Sequence, residues 1–340
     1  MTKVLLTGGS GFIATHILQQ LLQRGHSVVT TVRSQEKADK IKASYPDLGS
    51  DRLGFAIVPD VAQPNAFDDA LVSDPPFKGV IHTASPFHFN VTDIKKDLLD
   101  PAINGTTSIL KAIVSKAPQV ERVVITSSFG SMLDRSKGLW PEHTYTDADW
   151  CPLTMEEALS HPGAGYQASK TFAERAAWDF MEKEKPSFTL ATICPPLVFG
   201  PATQAIGSID ALNTSNQFVR SLLLGANKDE IPPTMNPIFA DVRDVAFAHV
   251  AAMEKPEAAG KRFFITGGYS SNRDMVNIIR KHFPEYHDQL PSESAKGGEL
   301  PDAVFKFDNG PSKEILGVQY KTLEESIKDT VGAFASIEKK

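Results

Sequence analysis

Tyr166 and Lys170 lie four residues apart in the segment "YQASK" (166–170), between a Gly/Pro-rich loop and a stretch with helical spacing. On a helix, that separation puts both side chains on one face. A phenol has an ordinary pKa near 10 and exchanges protons sluggishly at neutral pH. An ammonium about 4 Å away, at an effective dielectric of about 20, interacts with a phenolate by roughly 4 kcal/mol. That is enough to lower the phenol by up to about 3 pKa units. The pair therefore suits proton transfer to or from an oxygen. Tyr and Lys are also common on helix surfaces, so the pair acquires meaning only beside a cofactor and a substrate.

A cofactor signal lies at the start of the chain, in "TGGSGFIA" (7–14). The apolar run "KVLLT" (3–7) stops at Gly8-Gly9, and helical spacing begins at Phe12. Gly8 suits a tight turn. Gly11 lets backbone approach a pyrophosphate at the helix N-terminus, where free N–H groups and the helix dipole favour an anion. Ala14 permits close helix–strand packing. Thr7, Phe12 and Ile13 of the same turn are further candidate contacts. About 20 residues on, an NAD-binding fold usually carries an acid for the ribose 2′-hydroxyl. Here Thr31 and Val32 are followed by Arg33, with Lys37 one helical turn later. A guanidinium there suits a 2′-phosphate, and the expected cofactor is NADPH/NADP.

The elements that must position these groups alternate along the chain. "SVVTTV" (27–32), "FAIVPD" (55–60), "GVIHTAS" (79–85), "RVVITSS" (122–128) and "FTLATIC" (188–194) read as strands, with helical stretches between most of them. Short apolar strands separated by helices imply an α/β, Rossmann-type doubly wound parallel sheet. After Gly200, prolines and polar loops interrupt the pattern, with short helical pieces at 242–253 and 322–335. The expected division is a dinucleotide-binding domain at 1–200 and a smaller C-terminal substrate lobe at 201–340. The strand "KRFFIT" (261–266) is expected to return to the main sheet, so segments interleave.

Composition narrows the function classes. The chain has 340 residues, 41% hydrophobic and 22% charged, with net charge −6. That is enough for a sizeable core. No Lys/Arg run is long enough for a nucleic-acid footprint, and no apolar run spans a bilayer. The glycine turn comes too early for a signal peptide. Cys151 and Cys194, the only cysteines, suggest a reducing, cytoplasmic setting. The histidines show no ligand spacing, so no metal is expected.

"TGGSGFIATH", "HTASPF", "TSS", "YQASK", "PPLVFGP" and "DVRDVA" occur in the order of the extended short-chain dehydrogenase/reductases. Over nearly its whole length the chain most resembles the fungal NADPH-dependent carbonyl reductases of the methylglyoxal/3-methylbutanal type. Plant dihydroflavonol and cinnamoyl-CoA reductases resemble it less. The resemblance implies that Ser128, Tyr166 and Lys170 are catalytic, with Lys170 also bonding the nicotinamide ribose. It implies that Asp60 and Val61 flank the adenine and that Thr83, Ala84 and Ser85 form the turn beneath the cofactor. It sets Pro195 and Val198 beside the nicotinamide. The chain departs from the pattern at Cys194, where close fungal relatives carry Asn, and at Phe129, where Tyr is frequent.

The expected reaction is NADPH-dependent reduction of an aldehyde or ketone, with hydride from the nicotinamide and a proton from Tyr166. Two alternatives are a nucleotide-sugar epimerase or dehydratase on the same fold and a non-catalytic NADP-sensing module. Phe87, Phe89, Phe129, Leu133, Leu197 and Phe239 are the candidate pocket residues, about half of them expected in the core. Such a lining suits a small hydrophobic carbonyl compound. The expected assembly is a monomer or homodimer. His82 reads as a packed histidine, Asn104 as a cap, a core hydrogen bond or the anchor of a relay water, and "DVRDVA" (241–246) as a tie between lobes.

Overall fold

A computed structural model describes residues 2–85, 91–203, 212–224 and 228–338. Its strands are β1 (Lys3–Thr7), β2 (Ser27–Val32), β3 (Leu53–Ile57), β4 (Gly79–His82), β5 (Arg122–Thr126), β6 (Thr144–Tyr145), β7 (Thr189–Cys194), β8 (Leu197–Phe199), β9 (Ile238–Asp241), β10 (Lys261–Phe264), β11 (Gly268–Tyr269) and β12 (Lys306–Phe307). Its helices are α1 (Phe12–Gln23), α2 (Gln35–Ala43), α3 (Asp100–Lys116), α4 (Met155–Ala158), α5 (Pro162–Glu184), α6 (Thr214–Leu223), α7 (Val242–Glu254), α8 (Asn272–His282) and α9 (Leu323–Glu338).

Seven parallel strands form the main sheet in the order β3-β2-β1-β4-β5-β7-β10. Alternation of side chains along each strand feeds two cores. Val4 and Leu6 of β1, Val124 of β5 and Ile193 of β7 face the layer of α1 and α7. Leu5, Val123, Ile125 and Leu190 face the layer that includes α3. Helices α1 and α7 pack together on one side, and α3 and α5 on the other. Because both faces are covered, the middles of the central strands are apolar at successive positions: Val4-Leu5-Leu6, Val80-Ile81 and Val123-Val124-Ile125.

Several strands end earlier than the apolar runs predict. β3 stops at Ile57: Val58 still donates to the Val32 carbonyl, but Pro59 has no N–H to continue the ladder. β4 stops at His82 because the Thr83 and Ala84 N–H groups turn to the Thr7 hydroxyl. β5 stops at Thr126, before the serines.

The order reverses direction between β1 and β4, and the carboxyl ends of these strands open the crevice where such sheets take ligands. Two small sheets, β8-β9-β11 and β6-β12, lie outside the main one. The chain passes from β9 directly into α7, which returns to the face of the main sheet. β10 then pairs with β7 at its edge.

Candidate active site

The glycine turn is knit to the neighbouring strands by its own backbone. Gly11 N–H donates to the Gly8 carbonyl at 2.8 Å, and Gly9 N–H to the Thr31 carbonyl at 2.9 Å. Gly8 has φ +75°, a left-handed conformation that favours glycine. A Cβ on Gly8 would lie 3.1 Å from Ala84 backbone, and one on Gly9 only 2.0 Å from the Thr30 hydroxyl. Gly11 caps α1 without a side-chain hydrogen bond, and the first turn contains no acid. The residues present therefore fit a dinucleotide phosphate: an uncrowded helix N-terminus with no competing carboxylate.

Thr7 differs from its predicted role. It is fully buried, and its hydroxyl accepts from Thr83 and Ala84 N–H groups, both at 3.1 Å, and bonds His82 Nδ1 at 2.8 Å. It builds the cradle from behind rather than lining it. Burial pushes His82 down to about 3, so that imidazole is neutral. Phe12 is likewise buried, edge-on to His16, while Ile13 is partly open.

Arg33 follows β2, and Lys37 stands in the first turn of α2; both are exposed. Asp60, also exposed, accepts from Ala62 N–H and the Gln63 amide, and the Arg33 charge reaches it. Val61 beside it is half-buried. These groups rim the crevice at the ends of β2 and β3.

The Ser128, Tyr166 and Lys170 side chains converge at the ends of β5 and β4. Ser128 caps a short turn (129–131), its hydroxyl accepting from Gly130 N–H at 3.0 Å. The Ser128 and Tyr166 hydroxyls are hydrogen-bonded. Lys170 Nζ donates to Ser85 Oγ at 3.0 Å and lies 5.8 Å from the Tyr166 ring centroid. Ser85, from the turn predicted beneath the cofactor, thus aims the ammonium.

The net shift at Tyr166 runs opposite to the expected depression of the phenol. Although 37% of Tyr166 is exposed, its hydroxyl end is enclosed, and burial raises its pKa against the opposing Ser128 hydrogen bond. Burial lowers Lys170 itself to about 8.

The pocket candidates divide. Phe239 is a correction: it is 1% exposed, stacked on Phe199 and tight against Gly267, so it is core. Phe129 is corrected in the same way, since Phe264, Tyr145 and Phe305 enclose its ring. Leu133 is 8% exposed in that cluster, and Leu197 is half-buried. Phe87 and Phe89 lie outside the described residues. Pro195 and Val198 are buried, and the Pro195 carbonyl accepts from Phe129 N–H at 2.8 Å. Asn104 is exposed on α3, away from the core. Sequence reasoning missed Glu174, a buried acid four residues beyond Lys170 whose spacing on α5 was the available signal. Among the described residues, no cluster of His, Cys, Asp and Glu is arranged to hold a metal.

A glycine turn at the switch point of a doubly wound sheet, with Ser, Tyr and Lys converging beside it, is the build of the short-chain dehydrogenase/reductases. The pattern describing the NAD dependent epimerase/dehydratase family matches residues 4–266, and the chain belongs to that family. It is 45% identical over 332 residues to the ketoreductase azaE of Aspergillus niger, covering 97% of this chain and 96% of that one. It is 36% identical over 341 residues to the NADPH-dependent methylglyoxal reductase GRE2 of Saccharomyces cerevisiae, covering 99% of each. The crystal structure of yeast methylglyoxal/isovaleraldehyde reductase Gre2 complexed with NADPH superposes with a TM-score of 0.92, at 36% identity and 99% coverage of both chains.

Proposed function

We propose that this chain is an NADPH-dependent carbonyl reductase that converts hydrophobic aldehydes and ketones to alcohols. The observation that carries the reading is the hydrogen-bonded Ser128–Tyr166 hydroxyl pair, with Lys170 beside it, at the carboxyl edge of the sheet. The two reductases to which the chain is similar along nearly its full length support the same chemistry.

Gly8, Gly11 and the first turn of α1 would hold the pyrophosphate, Arg33 and Lys37 the 2′-phosphate, and Lys170 the ribose. NADPH, when bound, supplies the hydride that reduces the carbonyl carbon. Tyr166 gives its proton to the carbonyl oxygen as charge develops there, completing the alcohol. A raised phenol pKa suits that direction, because it keeps Tyr166 protonated until the oxygen needs the proton. Ser128 bonds the same oxygen and holds it in line. The half-buried Leu197 favours an apolar substituent on the substrate. Cys151 and Cys194, both free and buried, support a reducing, cytoplasmic setting.

Tyr166→Phe tests the reading, because it removes one oxygen and keeps the ring. With a panel of aldehydes and ketones, kcat falls by about 10²–10⁴ while NADPH affinity hardly moves. A variant that reduces the panel at the parent rate would sink the mechanism.

A further inference from the structure

Two helical turns beyond Tyr166 on α5, Glu174 is 2% exposed and has no part in the chemistry above. Its Oε2 accepts from the Ser127 and Ser131 hydroxyls, both at 2.6 Å. Its Oε1 accepts from the Thr192 hydroxyl of β7 at 2.7 Å and from Arg262 Nε of β10 at 2.8 Å. Arg262 is also buried. Its guanidinium lies 3.7 Å from the Trp150 ring centroid and donates to the Asp147 and Asp149 carbonyls. Burial alone would push Glu174 up, but Arg262 and the hydroxyls hold it below the usual carboxylate range, so it is an anion.

Ser127 and Ser131 bracket Ser128, and Ser131 N–H donates to the Ser128 carbonyl at 2.9 Å. One carboxylate therefore joins the turn that presents Ser128 to the helix that presents Tyr166 and Lys170. It also ties both to β7, whose end leads to Pro195, and Phe129 N–H meets the Pro195 carbonyl. A buried ion pair contributes little net stability compared with apolar packing. What this pair provides is a fixed register between two hydroxyls carried by different elements.

Building on the carbonyl-reductase reading, we propose that Glu174 is a positioning residue, holding Ser128 against Tyr166 through Ser127 and Ser131. Misplacement of a reacting group by 1 Å costs about 10²-fold in rate. Glu174→Gln should therefore lower kcat by about that factor, while the NADPH Kd hardly changes, because the proposed cofactor contacts on the glycine turn, Arg33 and Lys170 remain. Glu174→Gln also leaves Arg262 unpaired and lowers Tm. The double variant Glu174→Gln/Arg262→Met removes that stranded charge. Recovery of Tm without recovery of kcat is the expected result. Recovery of both together overturns the proposal, because the role is then structural only. If Glu174→Gln does not fold, Ser131→Ala removes one hydroxyl, which meets Glu174 Oε2, the Ser128 carbonyl, the Ser127 hydroxyl and Arg262, and leaves the carboxylate and its arginine paired. It should lose about tenfold in kcat at unchanged NADPH Kd, and parent turnover overturns the proposal. Tyr166→Phe is run beside them. Parent-like kcat in Glu174→Gln with a disabled Tyr166→Phe removes only the positioning role. An active Tyr166→Phe removes the reading beneath it.

Discussion

Lys170 carries an ammonium that burial makes reluctant to keep its proton, with a pKa lowered to about 8. Its bond to Ser85 Oγ and its place beside the Tyr166 ring depend on that group being held in the site. The sign follows directly: below about 8 the side chain is charged, and as pH rises through about 8 the charge is lost. Tyr166 does not add a limb in this range, because its pKa is raised. The value of kcat/KM for NADPH, which reads groups of the free enzyme, should therefore be flat near pH 7 and decline above about 8. Lys170→Arg keeps the charge at higher pH and should move that limb upward, whatever it does to the maximum rate. A limb left in place in the arginine variant assigns the decline to another group. The Tyr/Lys spacing was legible in the sequence because four residues on a helix fix a face. The direction of each pKa was not, since it is set by burial, which depends on how distant parts of the chain enclose the two groups.

At the scale of elements, cofactor choice belongs to the junction of β2 and α2. The strand ends at Val32, Ser34 precedes α2, and the exposed Arg33 and Lys37 stand at the junction, with Glu36 between them paired to Lys40 one turn on. Arg33→Asp replaces a phosphate partner with a ribose-hydroxyl acceptor. It should raise KM for NADPH by about tenfold or more, the scale of one charge-assisted bond, and leave KM for NADH level or improved. Equal losses for both cofactors would remove the 2′-phosphate role. The elements here were readable because β1 and β2 are apolar runs closed by glycine or polar residues, and α1 follows with apolar residues at helical spacing. Other elements were hidden. β8, β9 and β11 have two to four residues each and pair across gaps of about 30 to 40 positions, too short for periodicity to register. Phe239 looked like a pocket residue for that reason: only the pairing of β9 with β8 and β11 shows that its ring is packed inside. Likewise, nothing local links Glu174 to Arg262, which meet across 88 residues.

At the scale of the whole molecule, the "DVRDVA" segment joins β9, α7 and the C-terminal helix. Asp241 caps α7 and takes two bonds from the Arg243 guanidinium, which also reaches Asp329 on α9. Asp244 is 6% exposed and accepts Lys321 N–H at 2.8 Å, just before α9. It borders a groove of about 640 Å³ between α1, α7 and residues 317–319. Burial raises its pKa to about 7, assisted by the neighbouring Asp241 charge and opposed by the Lys321 bond. In the unfolded chain its pKa is near the ordinary 3.8. Between about pH 4 and 7, the folded state therefore holds a proton that the unfolded state has released, so this group's stabilisation falls as pH rises and is lost above about 7. Asp244→Asn keeps an acceptor for Lys321 N–H and cannot ionise. The variant should match the parent near pH 4 and exceed it at pH 8, by on the order of 4 kcal/mol in unfolding free energy. Thermal melts of both proteins across that range measure the difference directly, since every other titrating group is shared. A constant difference from pH 4 to 8 would mean that Asp244 is already ionised in the fold, with the Lys321 bond and Arg243 outweighing its burial.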